Sequence, residues 1–310
     1  MGDIPTVWII VILFLFFFLF LLGPLITYFY AKKIAIWFKG VKRIDNRKDL
    51  AKYPKLAEIV RTIKKICLHY EISMPEIGIY PSREINAFAT GRPGDSLIAI
   101  STGLIKNFTD EEIKGVLAHE VSHLLHKDLR FILLVQGICD LVIIILSSIV
   151  FALAMSRRSD EEESFGSQII RFIFAYVLYI IVTIILRIIA LLIVCWVTRK
   201  RELKADRKGA EIIGTDRMIA TLKKLLALEK KEESLDDFLP EEKTSEDDLD
   251  FEEFKKQSND YQKEPNSISL LKISTGKKKS DWLLELFRTH PPLEERIAAL
   301  KKSKKQRSNF

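Results

Sequence analysis

Three apolar blocks dominate the hydropathy pattern of the chain, at roughly residues 7 to 29, 131 to 155 and 169 to 197. Each approaches or exceeds the ~20 residues that an α-helix needs to cross a bilayer. Runs such as IIVILFLFFFLFLL and LVIIILSSIVFAL lack the polar face of a helix packed in a soluble core, so the pattern predicts about three membrane helices. Gly23-Pro24 interrupts the first block, which leaves open whether it forms one span or two.

Between the blocks the periodicity changes. Leu56, Ile59, Val60, Ile63, Ile66, Cys67 and Tyr70 recur at helical spacing, and Met74-Pro75 ends the pattern. Glu76 to Tyr80, Glu84 to Ala89 and Leu97 to Ser101 are short, contain β-branched or aromatic residues and are separated by Pro81 and by Gly91 to Gly94, which predicts a small sheet. Thr109-Asp110-Glu111-Glu112 is a capping-box sequence, so a helix is expected from about Asp110. A second polar helix, RELKADRKGAEII, continues from the third apolar block and is expected to stop near Gly214. Residues 229 to 265 are dense in Glu, Asp, Lys and Ser, poor in aliphatics and interrupted by prolines, the composition of a disordered insertion. LEERIAAL predicts a last helix, followed by a disordered basic tail.

Composition and charge refine this picture. The 310 residues are 48% hydrophobic and 29% charged, averages that conceal two kinds of material in one chain. The net charge of +7 does not imply nucleic acid, because the basic residues cluster beside the apolar blocks. Lys32, Lys33, Lys39, Lys42 and Arg43 follow the first block, and Arg199, Lys200, Arg201, Lys204, Arg207 and Lys208 follow the third. The loop between the second and third is acidic on balance. By the positive-inside rule, the N-terminus and the 156 to 168 loop lie outside and the remainder is cytoplasmic, giving a multi-pass protein of the cell membrane. The three cysteines show no CxxC spacing and indicate neither a disulfide framework nor a thiolate metal site.

The chemistry concentrates at His119-Glu120-Val121-Ser122-His123, an H-E-x-x-H sequence. On a helix the two imidazoles stand one turn apart and can share a zinc ion, with Glu120 beside it as general base. A catalytic zinc takes a third protein ligand, and Glu202 and Asp206 offer carboxylates one turn apart just beyond the membrane hairpin. Taken alone, such charges on a helix also read as a solvated face. His126 lies three residues after His123, the wrong spacing for a third histidine ligand, and His69 reads as structural.

HEVSH, two apolar spans, RELKAD and THPPLEERI, in that order, resemble the HtpX-like membrane zinc metalloproteases, gluzincins related to the CaaX prenyl proteases. The resemblance implies His119, His123 and Glu202 as ligands of one Zn2+ per subunit, with Asp206 behind the ligand shell as acceptor from His119. Asn86-Ala87-Phe88 resembles the edge strand on which such enzymes bind an extended peptide, although Asn86 also suits a turn. His290 in THPP resembles a C-terminal motif whose histidine donates to the oxyanion, and it equally suits a helix start.

The expected fold is therefore α+β, a zincin-like domain that is mainly helical with a small β-sheet, plus the membrane helices. Residues 1–30 form an anchor, 31–130 and 198–228 two parts of the catalytic domain, 131–197 a membrane hairpin, 229–265 the acidic insertion and 266–310 the C-terminal part. The expected activity is zinc-dependent, ATP-independent hydrolysis of unfolded or misfolded membrane proteins in stress-related quality control. The alternatives are a dedicated CaaX-type processing protease and a catalytically silent membrane scaffold.

Overall fold

The computed structural model describes residues 6–44, 54–156, 165–236 and 290–307, with backbone alone at 6–21, 24, 232–236 and 307. Its contacts divide the chain into two compact units. One comprises Met1–Leu25, Arg130–Lys200 and Asp281–His290, and the other comprises Ile26–Leu129, Arg201–Ser280 and Pro291–Phe310.

The second unit contains the sheet. After helix α1 (Thr6–Lys39) come strand β1 (Lys42–Arg43), helix α2 (Pro54–His69) and strands β2 (Glu76–Tyr80), β3 (Ala87–Arg92) and β4 (Asp95–Ser101). The strand order is β1-β2-β4-β3, with β2 parallel to β4 and the other pairs antiparallel. β3 therefore forms one edge of the sheet among the described residues. Arg92 pairs with Asp95 across a two-residue turn, Pro93-Gly94, in which Gly94 adopts φ +84°. Proline fixes the first turn position and only glycine enters the second without strain.

β3 begins three residues later than the expected Glu84 and extends past Ala89 to Arg92. The Ser101 hydroxyl explains the late start, because it donates to the Glu84 carbonyl and accepts from the Asn86 amide, holding this stretch in a bend. β1 is too short to register in the hydropathy pattern.

Helix α3 (Thr102–Asn107) follows β4, and then comes α4 (Asp110–Leu125), which carries the HEVSH sequence. The Thr109 hydroxyl accepts from the Glu112 amide while the Glu112 carboxylate accepts from the Thr109 amide, the expected reciprocal cap. Leu56, Ile59, Ile63 and Ile66 of α2 meet Ile77 and Ile79 of β2, Ile98 and Ile100 of β4, and Ile113, Leu117 and Val121 of α4 in one continuous core.

Helix α5 (Asp128–Met155) begins after Lys127, and α6 (Phe165–Ile213) is continuous through 49 residues. Both are long and apolar enough to cross a membrane. The first apolar block also lies in one helix, since α1 runs unbroken through Gly23-Pro24. Helix α7 (Thr215–Asp236) packs on α8 (Leu293–Arg307) through Met218, Ile219, Leu222, Ile297 and Leu300. A Cβ at Gly115 of α4 would stand 2.1 Å from Thr221 Oγ1 of α7, so only glycine permits this approach of the two helices.

Two expectations of disorder need correction. The start of the acidic insertion, residues 229 to 236, is the last part of α7, and the basic tail through Arg307 belongs to α8. The first stretch is rich in Glu and Lys and the second in Lys, residues that favour helix and extend an end that packing has already nucleated. The rest of the insertion, from 237, lies outside the described residues.

Candidate active site

Helix α4 presents His119 and His123 on one face, one turn apart, and α6 presents Glu202 to them. The two Nε2 atoms lie 3.1 Å apart, and each is 3.4 Å from one oxygen of Glu202. Three ligand-type atoms therefore converge within 4.8 Å of one another. Each outward ring nitrogen faces a buried carboxylate: His119 Nδ1 is 2.9 Å from Asp206 Oδ1, and His123 Nδ1 is 2.6 Å from Asp128 Oδ2. Donation from both Nδ1 atoms to these carboxylates leaves both Nε2 lone pairs aimed at the shared point.

The carboxylates are themselves held by arginines. Arg296 of α8 donates to both oxygens of Asp206, through Nε at 2.7 Å and Nη2 at 2.6 Å, and its Nη1 lies 3.8 Å from Glu202. Arg201 pairs with Asp128 and also donates to the His126 carbonyl at 2.9 Å. Burial opposes ionisation of Asp206, yet the hydrogen bonds from Arg296 and His119 outweigh it and hold the carboxyl below its ordinary range. Burial likewise works against a charged His119, but the Asp206 and Glu202 carboxylates prevail and raise it to about 10.

The donor set fits a divalent cation on charge as well as geometry. Glu120, Asp128, Glu202 and Asp206 are buried, as is Arg296, and the Arg201 side chain is only 15% exposed. Four carboxyl groups crowd two guanidiniums in a poorly solvated site, where carboxylate charge requires compensation by a proton on His119 or by a metal cation. Two neutral imidazoles and one carboxylate are a zinc-type donor set.

Glu120 is buried on the same helix turn. Burial pushes its carboxyl up, the two histidines pull it down and Glu202 pushes it up again, for a net upward shift. The Ala89 backbone amide donates to this carboxylate, which brings β3 beside it. The phase of β3 is set by the Ser101 amide, which donates to the Asn86 carbonyl at 2.9 Å. In an antiparallel pair, bonded and non-bonded residues alternate. Asn86, Phe88 and Thr90 therefore direct their backbone groups toward β4, while Ala87 and Ala89 direct theirs to the free edge. The three residues Asn86, Ala87 and Phe88 are thus placed differently: Asn86 in the bend, Ala87 at the edge facing outward, and Phe88 with its ring 5.7 Å from that of Tyr80.

His290 is exposed, and the C-terminal group that enters the cluster is Arg296, six residues later. The sequence motifs do not single out Arg296, Asp128 or Arg201. Arg296 does carry a legible signal: it falls on the stripe of Leu293, Ile297 and Leu300, and a charge on a buried stripe calls for a partner. Asp128 and Arg201 stand where the apolar stretches of α5 and α6 begin and end, and that boundary position conceals a local role.

A small mixed sheet over an H-E-x-x-H helix, with a glutamate from a later helix completing the cluster, defines a metallopeptidase. Residues 55–304 match peptidase family M48, and the chain belongs to that family. It is 32% identical over 280 residues to Protease HtpX of Glaesserella parasuis serovar 5 (strain SH0165), covering 90% of this chain and 83% of that one. To Protease HtpX of Escherichia coli (strain K12) it is 36% identical over 248 residues, covering 78% and 72% respectively. The structure of Ste24p from S. mikatae shares the fold with a TM-score of 0.55 at 18% identity, over 91% of this chain and 56% of that one. The protein is a metalloprotease with apolar helices suited to a membrane.

Proposed function

We propose that the protein is a membrane-bound zinc endopeptidase that cleaves extended segments of unfolded or misfolded membrane proteins on the cytoplasmic side, without ATP. The observation that carries this reading is the convergence of His119, His123 and Glu202 beside Glu120, with the outward backbone of Ala87 and Ala89 along the same site. A zinc ion held by the three ligands supplies Lewis acidity to the scissile carbonyl and makes water acidic enough to give up a proton.

An extended substrate pairs with the outward edge of β3 through the Ala87 backbone and the Ala89 carbonyl, which fixes its direction and leaves its sequence largely unread. Glu120 removes a proton from the attacking water as the oxygen bonds to the carbonyl carbon. It then delivers that proton to the amide nitrogen as the C–N bond breaks, so a carboxyl raised above its ordinary range suits both duties. Asp206 and Asp128 orient the imidazoles; Arg296 keeps Asp206 ionised, and Arg201 holds Asp128 in place.

Glu120→Gln keeps every proposed metal ligand and removes the base. Hydrolysis of an unfolded test protein by the purified enzyme is expected to fall by about 10² to 10⁴-fold while bound zinc stays stoichiometric. Activity within tenfold of the unaltered enzyme would remove Glu120 from the mechanism, and chelator-insensitive hydrolysis would remove the metal. For the orientation, a cysteine at Glu162 is expected to react with a reagent outside sealed cells and one at Arg207 to be protected. The reverse pattern inverts the topology.

A further inference from the structure

The last turns of α1 belong to the unit that holds the sheet, and their two faces differ. On one face Lys32 reaches Glu76 of β2 at 2.7 Å and Asp95 of β4 at 2.5 Å, and Ile36 packs against the cluster of Val41, Tyr80, Leu97 and Ala99. Tyr30, Ile34 and Trp37 recur at i, i+4 and i+7 on the opposite face and are exposed, with Phe38 beside them. Trp37 is the extreme case at 73% exposure. Lys33 stands 5.4 Å from the centre of the Tyr30 ring, and Lys39, Lys42 and Arg43 follow within two turns.

We propose that this face of α1 lies in the headgroup layer of an anionic membrane, so that the helix serves as an interfacial float as well as an anchor. The proposal rests on the reading of residues 7 to 29 as a membrane span. Two observations select lipid as the occupant. The face continues the helix of that span, and its composition, Trp and Tyr interleaved with lysine, matches the membrane interface, where amphipathic rings take the apolar side and cations meet anionic headgroups. The geometry adds a constraint. A helix leaving the bilayer along its normal would carry Trp37 about 12 Å beyond residue 29, at ~1.5 Å per residue and past the headgroups. A helix inclined toward the membrane plane keeps Tyr30, Ile34 and Trp37 against lipid, and its other face then holds β2 and β4 above the surface. The sheet whose β3 edge is proposed to bind substrate would thereby be kept close to segments emerging from the bilayer.

The test uses the full-length protein in vesicles containing phosphatidylglycerol, with bromines on the lipid chains near the headgroup as contact quenchers and iodide as the aqueous one. Single-tryptophan proteins retain either Trp8 or Trp37, with the other three tryptophans changed to Phe. The expected result is that brominated lipid removes the larger part of the emission of both and that iodide leaves both largely unaffected. Quenching of Trp8 by lipid while Trp37 answers to iodide overturns this proposal and leaves the anchor intact. If neither quencher reaches Trp37, protein covers the face, either another part of this chain or a second copy, and the proposal also fails. Loss of lipid quenching at Trp8 overturns the anchor reading itself. Should the multiply substituted proteins misfold, the difference in lipid quenching between the native protein and W37F reads the same contact, and no difference refutes it.

Discussion

Helix α6 contains both of the molecule's opposing burial patterns. In its apolar portion Ile170 and Phe174 are 70% and 62% exposed, while near its end Glu202 and Asp206 are 4% and 1% exposed. Apolar side chains face out where the helix belongs to the hairpin unit, and carboxylates face in where it belongs to the sheet unit. Neither arrangement is tolerable in the other's setting. Isoleucine and phenylalanine left exposed over most of an apolar helix suit hydrocarbon as solvent, since monomers in water rarely expose such continuous apolar surface. Buried carboxylates require cations, and the sheet unit supplies Arg201, Arg296 and a place for a divalent metal. The comparison teaches that exposure identifies the solvent and buried charge identifies the ligand.

The largest effect is expected from breaking the inward pattern. Arg296→Met removes the guanidinium from Asp206 while leaving the carboxylate buried, a change that costs about 3–5 kcal/mol when one partner of a buried pair is deleted. The midpoint of denaturant unfolding in detergent is expected to fall accordingly, with Arg296→Lys intermediate because an ammonium cannot reproduce the two-pronged contact. An unchanged midpoint would mean that water reaches Asp206 and that the site is less enclosed than its burial indicates. A smaller effect is expected at Asp128→Asn, which keeps the shape but weakens the acceptor for His123 Nδ1. Zinc affinity, measured by competition with a chromogenic chelator, is expected to drop about 10–100-fold. Equal affinity would show that Asp128 serves Arg201 and the turn at Lys127 rather than the metal.

Much of this arrangement is legible in the amino-acid sequence, and the parts that are not share a cause. The H-E-x-x-H turn, the capping box at Thr109 and the stop before Gly214 are local, so a few neighbouring residues determine them. Long apolar blocks are legible because solvent acts on every residue in them. The bend at Glu84 to Asn86 is not, because it depends on the Ser101 hydroxyl, fifteen residues from Asn86. Arg296 meets Asp206 across ninety residues of chain, and no local pattern announces which buried acid an arginine will find. Helix ends that prolong a packed segment, as at residues 229 to 236 and in the basic tail, escape composition-based reading because their solvated residues look like those of a disordered chain.

The smallest expected effect lies inside the hairpin unit, where the outward pattern leaves few polar contacts to set register. Thr183 donates to the Ser147 hydroxyl at 3.0 Å, and Ser147 is fully buried against α6. Further along the same antiparallel pair, Arg187 Nη1 lies 3.9 Å from Asp140 Oδ1, with the arginine side chain 64% exposed. Both contacts call for nearly the same alignment of α5 with α6. They differ by three residues, about 4.5 Å along the helix axis, which the long arginine side chain can bridge. Charges are expensive in hydrocarbon, and that expense argues for a strong ion pair. The long distance and exposed guanidinium argue for a weak one, because arginine can turn its head toward the interface and lose little. The second effect is expected to win. In double-mutant cycles with alanine, Ser147 and Thr183 should couple by about 0.6 kcal/mol, typical of hydrogen bonds between membrane helices, and Asp140 and Arg187 by no more than that. Coupling above about 2 kcal/mol at Asp140 and Arg187 would make the ion pair the register device, since it exceeds the range of ordinary interhelical hydrogen bonds. Additivity at both pairs would leave register to the packing around buried residues such as Ile143, Ser147 and Ala175.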